Sequence, residues 1–296
     1  MSELPELKVI YRDPDFVAID KPSGLLVHKS AWDPHEKTHC MGLLRDQLGQ
    51  WVYPVHRLDR GTSGVLLFAL SSEAAEAMNV QFREKRVQKT YFALVRGFAP
   101  KQGRIDKPLA GSEINERTGE AKVADENELK PAVSEFWNEG TVELPHALGR
   151  YPTTRFSLVR VETATGRYHQ VRRHLDSISH PLIGDTVYGD GKYNRFFRDH
   201  FGVNRLMLGA QRLVIEHPAT GRPFSLEADW PKEFNQVGVS QSVSSSRLTQ
   251  QFYRITQTET SQISDAGQDE IKIVMNFDDA KGCKGPLPVL GNSMKS

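Results

Sequence analysis

The stretch "SGVLLFAL" at residues 63–70 constrains the fold more than any other. Its apolar run, Val65 to Leu70, is far too short to span a bilayer and reads as a strand buried in a core. A chain of 296 residues is long enough to bury such a core, in one large domain or two small ones. With 38% hydrophobic and 25% charged residues, the composition is that of an ordinary soluble globular protein, with no membrane partner. The N-terminus "MSELPELKVI" has no basic segment followed by an apolar one, so no secretory signal is expected. Cys40 and Cys283 lie far apart and form neither a metal-type spacing nor a disulfide framework. The expected location is the cytoplasm.

The net charge of +1 hides an uneven distribution. Residues 83–107 carry eight Lys/Arg against two Asp/Glu, and residues 150–212 carry eleven against five. Between them, residues 111–143 carry three against nine. Either basic segment alone could be a solvated face. Two that bracket an acidic one favour an anionic partner over a neutral small molecule.

"LKVIYRDPDFVAIDKPSGLLVHK" predicts a strand, an Asp-Pro-Asp turn, a second strand, and a Pro-Ser-Gly turn into a short third one. Residues 33–48 predict a helix, with Asp33 as N-cap, Pro34 in the first turn and Glu36 completing a capping box. A helix from about Ser72 to Glu84 follows the buried strand, and "KTYFALVRGF" predicts a further strand. Residues 111–129 show little periodicity and are expected to be a surface insertion. Beyond it, "AVSEFWNEG" and "TTRFSLVRVET" predict strands, "GRYHQVRRHLDSI" a helix, and "LMLGAQRLVIEHP" a strand leading to a hairpin through "HPATGRPFSLEA". Strands with interspersed helices but no regular βαβ rhythm point to an α+β fold. From Gly238 to Glu270, nineteen of thirty-three residues are Ser, Thr, Gln or Gly, so folded structure is expected to end near Val237. A flexible tail over 238–296 would follow, to which "IKIVMNF" adds one strand or none.

Chemistry has several candidate seats. His35-Glu36-Lys37-Thr38-His39 spells HExxH, the pattern that sets two imidazoles on one helical face beside a glutamate base in zinc hydrolases. Glu36 already serves the capping box, however, and no third ligand stands out, so no metal is expected. "RGTSGV" fails as a nucleophile elbow, because Ser63 enters a strand and lacks the flanking glycine spacing. There is no P-loop and no Gly-x-Gly-x-x-Gly fingerprint, so no nucleotide cofactor has a seat. The remaining candidate is Asp59, held between Arg57 and Arg60 in "HRLDRGTSG". Those arginines could neutralise it as a structural pair or keep it ionised for attack.

"HRLDRGTSG" closely resembles the signature of the RluA-type RNA pseudouridine synthases, in which the aspartate is catalytic. The resemblance continues in order through "QKTYFALVRG", "TGRYHQVRRHL", "HPLIGDTVYG" and "LMLGAQRLVIEHPATG", and covers about residues 7 to 230. It implies the pseudouridine synthase fold, a mixed and mainly antiparallel sheet flanked by helices and loops around a central RNA-binding cleft. Residues 1–237 would be one catalytic domain without an N-terminal RNA-binding domain, acting as a monomer. Within the family, "YPTTRF" and "FGVNRLML" look most like members that isomerise uridine 65 of tRNA. The chain departs from the common pattern at Leu208-Gly209-Ala210, where relatives commonly have Leu-His-Ala.

The implied reaction breaks the bond from uracil N1 to the ribose, turns the base over and rejoins it through C5. No atoms are gained and no electrons are transferred, so no cofactor is expected. A single carboxylate suffices because uracil leaves as a delocalised anion, whereas ordinary glycosidases need a second acid. Attack at the ribose, attack at the ring and action as a base at the ribose remain open for Asp59. A carboxylate enclosed beside a base would drift toward its neutral form unless a cation stands by. The resemblance assigns that cation to Arg172; Arg173 would point about 100° away around the helix. It sets Tyr91 against the uracil, where the ring stacks and the hydroxyl could help remove the C5 proton. Alone, Tyr91 would read as a core residue and Arg172 as a solvated one; the joint pattern overturns both. The base must also leave its helix, and Arg57 is the candidate to fill the gap, with Arg60 on phosphate, or the two in exchanged roles. His56, Lys21, Lys89, Arg167 and His169 belong to the matched motifs as further RNA contacts, although each could equally be structural. The competing readings are a tRNA-binding protein or chaperone without catalysis and, distantly, the zinc hydrolase.

Overall fold

The computed structural model describes residues 6–28, 38–114, 121–123, 129–237 and 272–274. β1 (Lys8–Arg12) and β2 (Phe16–Lys21) pair antiparallel around a turn in which the Asp13 carboxylate accepts from the N–H groups of Asp15 and Phe16. The predicted third strand is only an isolated bridge from Leu26 to His39. Helix α1 (Cys40–Leu48) starts later than predicted, because the His39 ring, not Asp33, caps it: Nδ1 accepts from Gly42 N at 3.0 Å. Asp33, His35 and Glu36 lie outside the described residues. Next come β3 (Tyr53–Pro54), β4 (Ser63–Ala69), α2 (Ser72–Arg83) capped by the Ser71 hydroxyl, and β5 (Gln88–Arg96).

Within the acidic insertion, the described residues form short strand pairs. After β6 (Gln102–Asp106), β7 (Leu109–Ala110) pairs with β10 (Leu129–Lys130), and between them β8 (Ser112–Ile114) pairs with β9 (Ala121–Val123). Then follow β11 (Val133–Leu144), β12 (Thr154–Thr163), α3 (Gln170–Ser177), α4 (Gly191–Phe201), β13 (Leu208–Glu216), β14 (Pro223–Glu227) and α5 (Lys232–Gln236). β15 (Lys272–Val274) adds to the edge of β11; the rest of the expected tail lies outside the described residues.

Among the described residues, eleven strands form one sheet in the order β1-β2-β4-β13-β5-β12-β11-β15, with β3 on β4, β14 on β13 and β6 on β11. Every pairing is antiparallel except β13 with β4. The continuous apolar run of β4 is explained by its two covered faces. Val65, Leu67 and Ala69 pack against Ala74, Ala75 and Met78 of α2, while Leu66 and Phe68 pack against Leu43 and Leu44 of α1. β5 is covered on both faces too: Ala93 and Val95 meet Val171 and Leu175 of α3, and Leu94 meets the aromatic face of α4. Tyr91 touches both the α1 core and the α3 core and so marks the seam between them. No described helix is long and apolar enough to cross a membrane.

Candidate active site

Asp59 stands in the loop between β3 and β4, on a turn closed by Thr62 N donating to the Asp59 carbonyl at 3.0 Å. Gly24 N donates to the Arg60 carbonyl at 2.8 Å, which ties the turn to the loop after β2. Lys21 holds both loops from beneath. It is fully buried, and its Nζ donates to the carbonyls of Pro22, Leu25 and Arg60 at 2.8, 2.6 and 3.2 Å. Burial pushes its pKa down to about 8. Lys21 is thus placed as a clamp on the framework, the structural alternative that the sequence left open beside an RNA contact.

The Asp59 side chain is 20% exposed, with Oδ2 3.5 Å from Nη1 of Arg172. α3 aims Arg172 into the site and turns Arg173 away to the Ala110 carbonyl at 2.9 Å. Arg172 is held from behind: Nε and Nη2 donate to the two oxygens of Asp185 at 2.7 and 2.9 Å, which leaves Nη1 toward Asp59. Asp185 has no exposed side-chain surface, and its Oδ1 also accepts from the N–H groups of Val187 and Tyr188. Burial raises the Asp185 pKa, but these donors outweigh it, so the carboxyl lies below its usual range.

His169 comes within 3.9 Å of Asp59, yet burial drives its pKa down to about 4. It is neutral near pH 7, so the approach is no ion pair. Its backbone is left-handed, with φ 52°, and its ring stacks on Tyr168 at 3.6 Å while Nδ1 meets the Tyr188 hydroxyl at 3.2 Å.

Two cavities meet at Asp59. A cleft of about 1150 Å³ opens past Lys21, Arg60, Asp185 and Arg205, and a pocket of about 250 Å³ runs in past Tyr91, Thr163, Gln170 and Leu208. Arg57, Leu58, Asp59, Tyr168, His169 and Arg172 line both. Tyr91 bonds Thr163, and burial, followed by the charge of Asp59, raises its phenol pKa above the usual value.

The other sequence candidates divide. Exposed Arg57 lines both cavities, Arg60 lines the cleft while donating to the Gly24 carbonyl, and Arg167 lines the pocket while donating to the Pro131 carbonyl. Lys89 and His56 line neither. Lys89 donates to the Thr165 carbonyl at 2.8 Å, and burial lowers its pKa to about 8. His56 stacks on Phe82, and its Nε2 accepts from Leu67 N at 3.0 Å; burial pushes its pKa down to about 3. Both hold the sheet and loops together.

His39, the described histidine of the HExxH pattern, is extended, with φ −147°, and caps the helix that follows it. Among the described residues, no group of three or more His, Cys, Asp or Glu side chains is placed to hold a metal ion. At the departure, Gly209, a Cβ would sit 3.3 Å from Pro231 Cγ, a tight contact that the proline ring would have to ease by a few tenths of an ångström. Sequence reasoning missed Asp185, Tyr188 and Tyr168. The signals were the Asp and Tyr of the matched "GDTVYG", and the Tyr beside His169 in "GRYHQ".

Comparisons with known proteins bear on the family and the fold. Residues 15–177 match the family described as RNA pseudouridylate synthase. The tRNA pseudouridine synthase C of Pasteurella multocida is 48% identical over 74% of this chain and 90% of its own length. The protein of the same name from Haemophilus ducreyi is 45% identical over 79% and 96%. Human RNA Pseudouridylate Synthase Domain Containing 1 superposes with a TM-score of 0.61 over 86% of this chain and 98% of its own, at 24% identity, which speaks for the fold alone.

Proposed function

The chain belongs to the RNA pseudouridylate synthase family, and from that premise we propose that it isomerises uridine 65 of tRNA to pseudouridine with Asp59 as the acting carboxylate. The observation that carries the reading is the position of Asp59, at the threshold between a cleft and a base-sized pocket, 3.5 Å from Arg172. In the reaction the bond between N1 and the ribose C1′ breaks, the uracil turns over, and C5 bonds to C1′. C5 gives up its proton and N1 takes one, so atoms balance and no redox partner enters.

Attack at C1′, attack at the ring and proton abstraction at the ribose all call for a carboxylate in this place. Arg172, locked by Asp185, orients and balances it. Tyr91 supplies a stacking face for the flipped uracil. Its raised pKa keeps the phenol protonated, so the hydroxyl donates a hydrogen bond and accepts the C5 proton only after passing on its own. Arg57, exposed where the two cavities meet, fills the gap left by the flipped base, and Arg60 and Arg167 meet the backbone. One chain supplies every one of these groups, which supports a monomer, and a tRNA substrate fits a cytoplasmic location.

Asp59→Ala tests the reading on tRNA transcripts. Pseudouridine formation should vanish while the melting temperature and tRNA binding stay near wild type. An active Asp59→Ala enzyme sinks the assignment. A wild-type chain that binds tRNA and leaves every uridine unchanged would instead mark an RNA-binding protein without catalysis. Mapping pseudouridine in RNA from cells with and without the gene identifies the position.

A further inference from the structure

Tyr168 is given no role by the signature, yet it occupies an unusual position. It is one of the six residues that line both cavities, and it stays 37% exposed there. The other five include Asp59 and Arg172 of the reaction and Arg57 of the base exchange. An aromatic ring left open at such a threshold is costly in water and useful to a planar ligand.

Its support is built in layers. The Tyr168 ring lies on His169 with centroids 3.6 Å apart and planes 22° apart. His169 in turn meets the edge of Tyr188 at 5.6 Å, and the Arg172 guanidinium lies 5.1 Å from the Tyr188 centroid. The ladder requires His169 to adopt a left-handed backbone, a conformation that disfavours side chains other than glycine and persists where the surroundings enforce it. Because His169 is neutral, the rings stack without a buried charge between them. One face of Tyr168 is therefore covered by His169, and its remaining exposed surface borders the cleft beside Asp59.

We propose that Tyr168 is the stacking platform for the RNA base next to the target nucleotide. The inference rests on the pseudouridine synthase reading and assigns the substrate contact at the mouth of that same site. Once the target uracil enters the small pocket, its neighbour in the strand must cross the threshold shared by both cavities. Stacking on an aromatic ring holds a base with little regard to its identity. Tyr168 thus positions the strand and does not touch the reacting atoms.

The test uses the full chain and a tRNA transcript with 2-aminopurine beside the target uridine. Binding to wild type should quench the fluorescence; Tyr168→Ala should abolish the quench, raise KM about tenfold and leave kcat at saturating RNA near wild type. Tyr168→Phe and Tyr168→Trp should restore both quench and KM. Unchanged quench and KM in Tyr168→Ala overturn the proposal. So does a Phe variant as poor as Ala, which would put the function in the hydroxyl, or a fall in kcat at constant KM. Failure of the underlying reading looks different: wild type would form no pseudouridine on any transcript.

Discussion

Asp185→Asn is the perturbation that separates the two carboxylates facing Arg172. In the native protein Asp185 Oδ1 accepts from Arg172 Nη2, Val187 N and Tyr188 N, while Oδ2 accepts from Arg172 Nε at 2.7 Å. An asparagine carbonyl can keep the three bonds at Oδ1. Its amide nitrogen then faces the Nε–H of Arg172, donor against donor, with no water to intervene, since the Asp185 side chain is fully buried. Arg172, with a side chain only 9% exposed, loses the anion that offsets its burial. Removing one partner of a buried pair costs about 3–5 kcal/mol. For a domain of this size that lowers the melting temperature by roughly 10 °C. Arg172 would also swing toward Asp59, the nearest remaining carboxylate at 3.5 Å, and the single-turnover rate of pseudouridine formation should fall with it. Asp59→Asn should behave in the opposite way, abolishing the reaction while leaving the melt within about 1 kcal/mol of wild type, because Arg172 keeps Asp185. Differential scanning calorimetry and a single-turnover tritium-release assay read the two effects. If Asp185→Asn melts with wild type and turns over at the wild-type rate, the claim that Asp185 holds Arg172 is refuted.

Acid should unfold the protein through its buried histidines. His56 and His169 have folded pKa values of about 3 and 4, against about 6.5 in the unfolded chain. Below pH 6.5 the unfolded chain binds protons that the folded one refuses, so stability falls as pH drops, by about 1.4 kcal/mol per unit for each histidine. The loss from His169 levels off near pH 4 and that from His56 near pH 3. Urea melts at pH 7, 6 and 5 should show the slope, and His56→Gln should make it shallower; an unaltered slope in that variant rejects the assignment. Gly64→Ala should yield little soluble protein, because Gly64 has φ 113° and a Cβ there would lie 2.1 Å from the Ala210 carbonyl oxygen. Gly49→Ala, with φ 67° and open space around it, should cost only about 1 kcal/mol and serves as the control in the same thermal melt.

The strands that carry the site were legible because their patterns have one physical reading. A run such as Val65–Leu70 has no polar side to turn outward, and it is indeed covered on both faces. The start of α1 was misread because Asp33, Pro34 and Glu36 have the composition of a helix start, while a capping imidazole at His39 leaves little trace in composition. Helix α4 went unpredicted although Asp190 caps it and Gly202 ends it in a left-handed turn. Its buried residues, Tyr193, Phe196 and Phe197, are aromatic, a type that periodicity assigns to strands as readily as to helices. Within the candidate site, Asp59, Tyr91 and Arg172 line one pocket, though they lie far apart in the sequence. The cations were harder. Lys21, Lys89 and Arg57 look alike in a sequence, but the first is buried and the second half-buried against backbone carbonyls while the third is open, and side-chain type alone carries no record of that difference.

The sheet order has a consequence for how the protein is made. β13 lies between β4 and β5, yet it is encoded long after both, beginning at Leu208 where β5 ends at Arg96. A growing chain therefore presents the strand behind Asp59 and the strand bearing Tyr91 well before the piece that joins them. Among the described residues, β13 is the strand that joins the two halves of the sheet, through Gly209 and Ala210 on β4 and Leu208 to Val214 on β5. A premature stop ahead of β13 yields a polypeptide in which Tyr91 and Arg172 can still meet through β5 and α3, but without the strand that joins them to β4 and Asp59. The timing of translation thus sets the moment at which the strand behind Asp59 and the strand bearing Tyr91 can be joined in one sheet.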